Sequence, residues 1–286
     1  MAQAYLFPGQ GSQTQGMGAT LFDSVENYAE FEPYVDEIMG YSLRELCLRN
    51  PDNALQQTRN TQPCLYVVNA LHYWEQLAQH GDAQMFAGHS LGEYNALLAA
   101  GAFGFLDGLR LVRKRGELMS ALQNGGMLAV VGIDPQQIQH VLEEEGEGAV
   151  DIANLNSPVQ TILSGPVAAL NALVPALEKS GAKMCIPLPV SAAFHSRYMQ
   201  TVAEDFARYL RHFQFNPMTA PVIANASAQP YGDGDPDVTI KNLLVQQIPC
   251  AVEWMRSIRQ MRAMGVSEFK EVGVGTVLTR LLGQIL

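Results

Sequence analysis

Met85-Phe86-Ala87-Gly88-His89-Ser90-Leu91-Gly92-Glu93-Tyr94 is the stretch on which the fold turns. Its apolar start reads as a short strand, and Glu93 to Ala100 follows with helix-forming spacing. Between them Gly88-His89-Ser90-Leu91-Gly92 has the Gly-x-Ser-x-Gly pattern of a nucleophile elbow, a sharp strand-to-helix turn. Gly88 and Gly92 leave room for a strained turn and close helix–strand packing, so that Ser90 projects its hydroxyl upward. The helix start behind it offers free N–H groups to a developing oxyanion. The same residues also fit a serine that simply caps a helix after a turn. Other parts of the chain must separate the two readings.

The length of 286 residues allows two domains, or one large α/β domain with an insertion. Apolar residues make up 48% and charged ones 16%, enough for a large buried core and unlike a disordered chain. A formal charge of −10 with no run of Lys or Arg speaks against nucleic acid as a partner. Cys47, Cys64, Cys185 and Cys250 lack CxxC spacing and read as buried small hydrophobes in a reducing compartment, not a disulfide frame or metal site. The start, Met1-Ala2-Gln3-Ala4-Tyr5, has no basic n-region, and no window approaches a membrane span. A cytoplasmic globular protein with no membrane partner is the expectation.

Outward from the elbow, Ala4 to Phe7 reads as a strand running into the glycine-rich loop Pro8-Gly9-Gln10-Gly11-Ser12-Gln13. Helices are expected over 26–49, 63–80 and 105–122. The character then changes. Strands at 127–133, 150–155, 160–163 and 183–190 alternate with helices at 135–145 and 167–180, with a turn at Asn156-Ser157-Pro158. That order, βαββαβ, is the ferredoxin-like arrangement. The remainder returns to mixed α/β, with helices at 196–212, 237–247 and 252–264 and strands at 222–225 and 268–272. We therefore expect a large α/β domain from 1–125 and 193–286, interrupted by a small ferredoxin-like domain at 126–192, with a cleft between them.

An activated serine needs a base. Of the six histidines, His72, His80 and His140 fall within or at the ends of expected helices and are most simply solvated, and His212 sits near a helix end. His89 abuts Ser90, but neighbours on a tight elbow point apart, so it braces the turn. His195 lies in Ala192-Ala193-Phe194-His195-Ser196-Arg197, where the small domain hands the chain back to the large one, at the mouth of the inferred cleft.

Five blocks in order carry a resemblance: Pro8-Gly9-Gln10-Gly11-Ser12-Gln13, Gly88-His89-Ser90-Leu91-Gly92-Glu93-Tyr94, Arg115-Gly116-Glu117-Leu118-Met119, Phe194-His195-Ser196 and Glu271-Val272-Gly273. Over essentially its whole length the chain resembles the malonyl-CoA:acyl carrier protein transacylase family. It is particularly similar to the free-standing acyltransferases that serve modular polyketide synthases. The resemblance implies an α/β-hydrolase-like large domain carrying the ferredoxin-like insertion. It also implies Ser90 as nucleophile, His195 as general base, and the backbone N–H groups of Gln10 and Leu91 as oxyanion hole. Arg115 matches the arginine that grips the free carboxylate of malonyl, where the residues alone suggest a solvated helix face beside Arg113 and Lys114. Phe194, bulky before the histidine, matches a position that tends to be large when malonyl is preferred. The family has no acidic third member. Counting back from Trp254, Gln247 matches the residue whose backbone carbonyl orients the histidine, although Cys250-Ala251 stands where relatives often have Asn-Pro or Ser-Pro.

The activity implied is ping-pong transfer of malonyl from malonyl-CoA to the phosphopantetheine thiol of an acyl carrier protein, with no cofactor and no metal. Alternatives are an acyl hydrolase of the same fold that clears carrier proteins, the transacylase of fatty-acid synthesis, and an inactive scaffold. The hydrolase has no need of a carboxylate clamp, so Arg115 weighs against it. The carrier would be acidic and dock on local basic residues, with Arg197 first and Lys183 and Arg280 after it.

Overall fold

A computed structural model describes residues 2–26, 28–145 and 148–286. Met1, at the start of the first expected domain segment, Asn27, inside the expected helix over 26–49, and Gly146 and Glu147, inside the expected insertion, lie outside the described residues. Among the described residues eight strands form two sheets: β1 Ala2–Phe7, β2 Met85–Gly88, β3 Gly125–Val131, β4 Asp151–Ser157, β5 Gln160–Pro166, β6 Met184–Pro187, β7 Val222–Ile223 and β8 Val266–Glu271.

The first sheet is parallel throughout, in the order β7-β2-β1-β8. Parallel strands covered on both faces read as continuous apolar runs, and β1 obeys this. Tyr5 and Phe7 face a core that includes Phe86 and Tyr73, while Ala4 and Leu6 face Trp254, Ile258, Met261, Leu278 and Leu281 on the opposite side. All the strands point the same way, so the loops after β1, β2 and β8 gather at one edge of the sheet. In open parallel sheets that carboxyl edge is where ligands bind.

The second sheet is antiparallel in the order β4-β5-β3-β6. With helices Pro135–Glu145 and Val167–Lys179 this is the ferredoxin-like pattern, its first and third strands adjacent at the centre. Alternation along β3 divides the faces: Leu128 and Val130 pack under the two helices with Ile138 and Leu170. Met127 and Ala129 turn the other way, into the main core. The helix-free face of the small sheet thus roofs the carboxyl edge of the large one. Backbone hydrogen bonds between Ala153, Leu155 and Val252 stitch the two together, as does Ser157 Oγ to Gln284 Oε1 at 2.6 Å.

Four local expectations are corrected. The helix expected over 26–49 breaks into Tyr28–Met39 and Leu43–Arg49, because Gly40 adopts φ 78° and Ser42 caps the second piece by accepting from Glu45 N. The helix expected from 63 begins at Thr58 and carries Pro63 in its interior. The Thr61 hydroxyl donates to the Leu55 carbonyl, and Thr61 and Gln62 are buried, so tertiary packing overrides the proline. The helix expected over 196–212 opens as a short 3₁₀ turn, Arg197–Met199, before Gln200–Leu210. Finally, β4 runs through Ser157, so the turn is confined to Pro158 and Val159 and Asn156 remains in the strand.

Candidate active site

The elbow forms as its glycines require. A Cβ added at Gly92 would stand 2.0 Å from the Phe7 carbonyl oxygen, and one at Gly88 would stand 1.9 Å from the Gly92 backbone. Helix Gly92–Ala99 therefore lies directly against β1 and β2. Gly92→Ala is expected to destabilise the protein by about 1–3 kcal/mol or more, the cost of forcing volume into a packed site. Thermal unfolding measures it, and an unchanged midpoint would mean the helix does not sit that close. Ser90 adopts φ 50°, in the left-handed region, and Leu91 is the residue that caps the helix. The simple capping reading of Ser90 fails on that geometry, and the strained elbow stands.

Ser90 and His195, 105 positions apart, meet: Ser90 Oγ lies 2.7 Å from His195 Nε2. His195 is also left-handed, at φ 54°, and is held there by Ser196, whose hydroxyl donates to the Ala193 carbonyl at 2.6 Å. The other ring nitrogen, Nδ1, lies 2.9 Å from the Gln247 carbonyl oxygen and 3.2 Å from that of Cys250. Two acceptors at Nδ1 put the proton there and leave Nε2 as the acceptor facing the serine hydroxyl. Burial, aided by the Arg115 charge, lowers the His195 pKa to about 3, so the ring is a neutral base at physiological pH.

Arg115, on helix Phe105–Ala121, is only 1% exposed, and the solvated-face reading is wrong. Its Nη1 donates to Gln62 Oε1 at 2.7 Å, and its Nη2 donates to Gln247 Oε1 and to Ser90 Oγ, each at 3.0 Å. The Tyr94 ring lies beneath the guanidinium, 5.7 Å from its carbon. Every direct partner is neutral, and Nε has none among the described residues. A buried cation held by neutral oxygens is costly unless an anion arrives, so the arrangement has room in its chemistry for one carboxylate beside the serine.

The loop after β1 completes the wall. Asn69 Nδ2 donates to the Pro8 carbonyl at 2.9 Å and Ser12 Oγ to that of Gly9 at 2.8 Å, which fixes the turn at Gln10. Among the described residues the N–H groups of Gln10 and Leu91 enter no hydrogen bond, as donors awaiting an oxyanion should. Gln10 and Leu91, with Phe194, line a cavity of about 250 Å³. Met127 and Ile162, from the inner face of the small sheet, line its other side.

All seven expected site residues thus converge, Gln247 through both its main-chain carbonyl and its side chain. Sequence reading missed Gln62, Asn225, Glu93 and the Cys250 carbonyl; only Glu93, next to the elbow, carried any local signal. His89 braces as expected: its Nε2 lies 2.8 Å from Asn156 Oδ1 and its ring packs on Trp254. His72 is half-buried and not solvated, and burial lowers its pKa. Arg197, offered for docking, is exposed and pairs with Asp151 through a two-pronged contact. Among the described residues no helix is long and apolar enough to cross a membrane.

A family model described as an acyl transferase domain matches residues 4–284. The chain is 48% identical over 283 residues to the polyketide biosynthesis malonyl CoA-acyl carrier protein transacylase PksC of Bacillus subtilis, covering 98% of this chain and 96% of that one. It is 48% identical over 284 residues to the polyketide biosynthesis protein ThaF of Burkholderia thailandensis, covering 99% of this chain but spanning only 24% of that longer protein. The crystal structure of the malonyl CoA-acyl carrier protein transacylase from Burkholderia pseudomallei superposes with a TM-score of 0.94 at 42% identity, covering 100% of this chain and 98% of that one.

Proposed function

This chain belongs to the acyl transferase domain family, and on that premise we propose that it transfers malonyl from malonyl-CoA to the phosphopantetheine thiol of an acyl carrier protein, in polyketide biosynthesis. One observation carries the proposal: Arg115, buried without a direct counter-ion, presents its guanidinium 3.0 Å from the hydroxyl of a serine that is hydrogen-bonded to a neutral histidine. An acyl group ending in a carboxylate satisfies that cation and brings its thioester to the serine; a neutral acyl group leaves it unpaired.

The reaction proceeds in two like halves. Malonyl-CoA enters with its carboxylate on Arg115. His195 Nε2 takes the Ser90 proton as Oγ attacks the thioester carbon, and the developing oxyanion collects the N–H groups of Gln10 and Leu91. The C–S bond breaks, and the proton passes from His195 to the departing CoA thiolate. The carrier's thiol then enters, gives its proton to His195 and attacks the malonyl ester, and Ser90 is restored. The Gln247 and Cys250 carbonyls keep the imidazole aligned in both halves and ease its positive charge. Phe194 on the cavity wall limits branching next to the thioester.

We take the division at 1–125, 126–192 and 193–286 as the domain organisation, and the active site as lying between its parts. Four free cysteines suit a reducing compartment, the cytoplasm.

Intact-protein mass spectrometry after incubation with malonyl-CoA tests the proposal. One malonyl adduct is expected on the wild type and none on Ser90→Ala. An adduct that persists in the variant would place the nucleophile elsewhere, and release of free malonate in place of acyl carrier would make the protein a hydrolase.

A further inference from the structure

Glu93 is fully buried, yet no step of the reaction above uses it. Its Oε1 accepts from the Tyr231 hydroxyl at 2.5 Å, and its Oε2 accepts from Asn225 N at 3.2 Å and from Gln247 Nε2 at 2.6 Å. Those last two residues hold the elbow. Asn225 Oδ1 accepts from Ser90 N at 2.6 Å and Asn225 Nδ2 donates to the Gly88 carbonyl at 2.7 Å. Gln247 Nε2 also donates to the Ser90 carbonyl at 2.8 Å. Gln247 then reaches the two other working groups: its Oε1 receives Arg115 Nη2, and its main-chain carbonyl receives His195 Nδ1.

We propose that Glu93 is a positioning residue for the proposed transfer: by fixing which way round the Gln247 amide sits, it sets the Arg115 clamp and the His195 base together. An amide has a donor end and an acceptor end, whereas Glu93 Oε2, on which the donors of Asn225 N and Gln247 Nε2 both converge, serves as an acceptor, although burial raises the Glu93 pKa to about 7. With Glu93 in place, Nε2 must face Glu93, and Oε1 must face the guanidinium. Reversed, the amide would set oxygen against carboxylate and NH₂ against guanidinium, two repulsive contacts in a buried site. Volume alone does not call for a carboxylate here, because an apolar side chain of the same length would fill the space without the cost of burying a charge. The position of Gln247 at the end of helix Pro236–Gln247 explains how one side chain commands both partners.

Glu93→Met tests this, since it keeps the volume and removes the acceptor. Acylation is followed by intact mass with malonyl-CoA and, separately, acetyl-CoA. Loss of the clamp touches malonyl alone and loss of the base alignment touches both, so malonyl acylation should fall about 100-fold and acetyl acylation about 10-fold, the scale of an ångström's misplacement. Glu93→Gln, whose amide oxygen still accepts from Gln247 and Asn225 while its nitrogen donates to Tyr231, should recover most of both. A residue that merely supports the fold would lower both acyl groups alike, and that outcome overturns the proposal. So does a wild-type rate in Glu93→Met, or a Glu93→Gln protein no better than Glu93→Met. If Glu93→Met does not fold by circular dichroism, Glu93→Asp, which withdraws the carboxylate from Gln247, takes its place with the same expected split. This inference rests on the malonyl-transfer reading. A wild type that takes up no malonyl refutes that reading, whereas a malonylated wild type with indifferent variants refutes the Glu93 proposal alone.

Discussion

Arg115→Ala is expected to lower malonyl transfer by about 30- to 5,000-fold while leaving acetyl transfer unchanged or improved. Losing one partner of a buried charge pair costs about 2–5 kcal/mol, and each 1.4 kcal/mol is tenfold. In the wild type an incoming carboxylate meets a guanidinium already oriented by Gln62 and Gln247, so little ordering remains to be done. Acetyl-CoA has nothing to offer that cation, and its removal lifts the penalty. Arg115→Lys should not restore malonyl transfer. The two glutamine oxygens grip separate arms of a planar fork, and a single ammonium cannot reach both and still present a donor pair to the substrate. The measurement is the ratio of malonyl- to acetyl-acylated protein and of the corresponding acyl carriers. A variant that keeps the wild-type preference would show that selection lies in the shape of the cavity.

His195→Ala should reduce acylation and transfer together by about 10²–10⁴-fold, the usual loss when a general base is removed. His89→Ala should be much milder, because its ring contacts Asn156 and Trp254 and not the serine oxygen. The pH dependence follows from the sign of the shift. A pKa lowered to about 3 means that the imidazole remains an available base as the medium is acidified well below the ordinary histidine value of 6.5. Wild-type acylation should therefore show no loss attributable to His195 between pH 5 and 8, followed by rapid-quench mass spectrometry on both proteins. An inflection near 6.5 that vanishes in His195→Ala would contradict the burial of this ring, and a mild His195→Ala beside a crippled His89→Ala would reassign the base.

The parts of this protein that were legible in its sequence are those written in short range. The elbow is one: two glycines, a strand before and a helix after, with the serine between them. The small sheet is another, because the order of its elements alone implies its strand order. Arg115 was half legible. Arg113, Lys114 and Glu117 around it look like a solvated face, yet helical spacing places Arg115 on the stripe of Leu111, Val112 and Met119, all of which are buried. Gln62, Asn225 and Gln247 are polar residues on three separate elements, and what unites them is direction in space, which no local pattern records. Gln247 was reached only through resemblance. The substitution of Cys250-Ala251 for the commoner pair did not displace it, since both neighbouring carbonyls still point at the histidine. The helix break at Gly40 and the early helix start at Thr58 depend on caps and buried hydroxyls that compete with plain periodicity.

Ser90 rides on the parallel sheet, whereas His195 arrives on the strand of chain that leaves the antiparallel one, and the two atoms that exchange a proton in the proposed transfer are 2.7 Å apart. Catalysis is in that sense a vernier between two bodies. Slippage of about 1 Å at the seam, too slight to disturb any helix or strand, is expected to slow the proposed transfer by about 100-fold. The ladder from Ala153 and Leu155 to Val252, the Asn156–His89 brace and the Arg197–Asp151 clasp all lie along that seam, so sequence changes there are expected to tune the proposed turnover while leaving the reacting groups untouched.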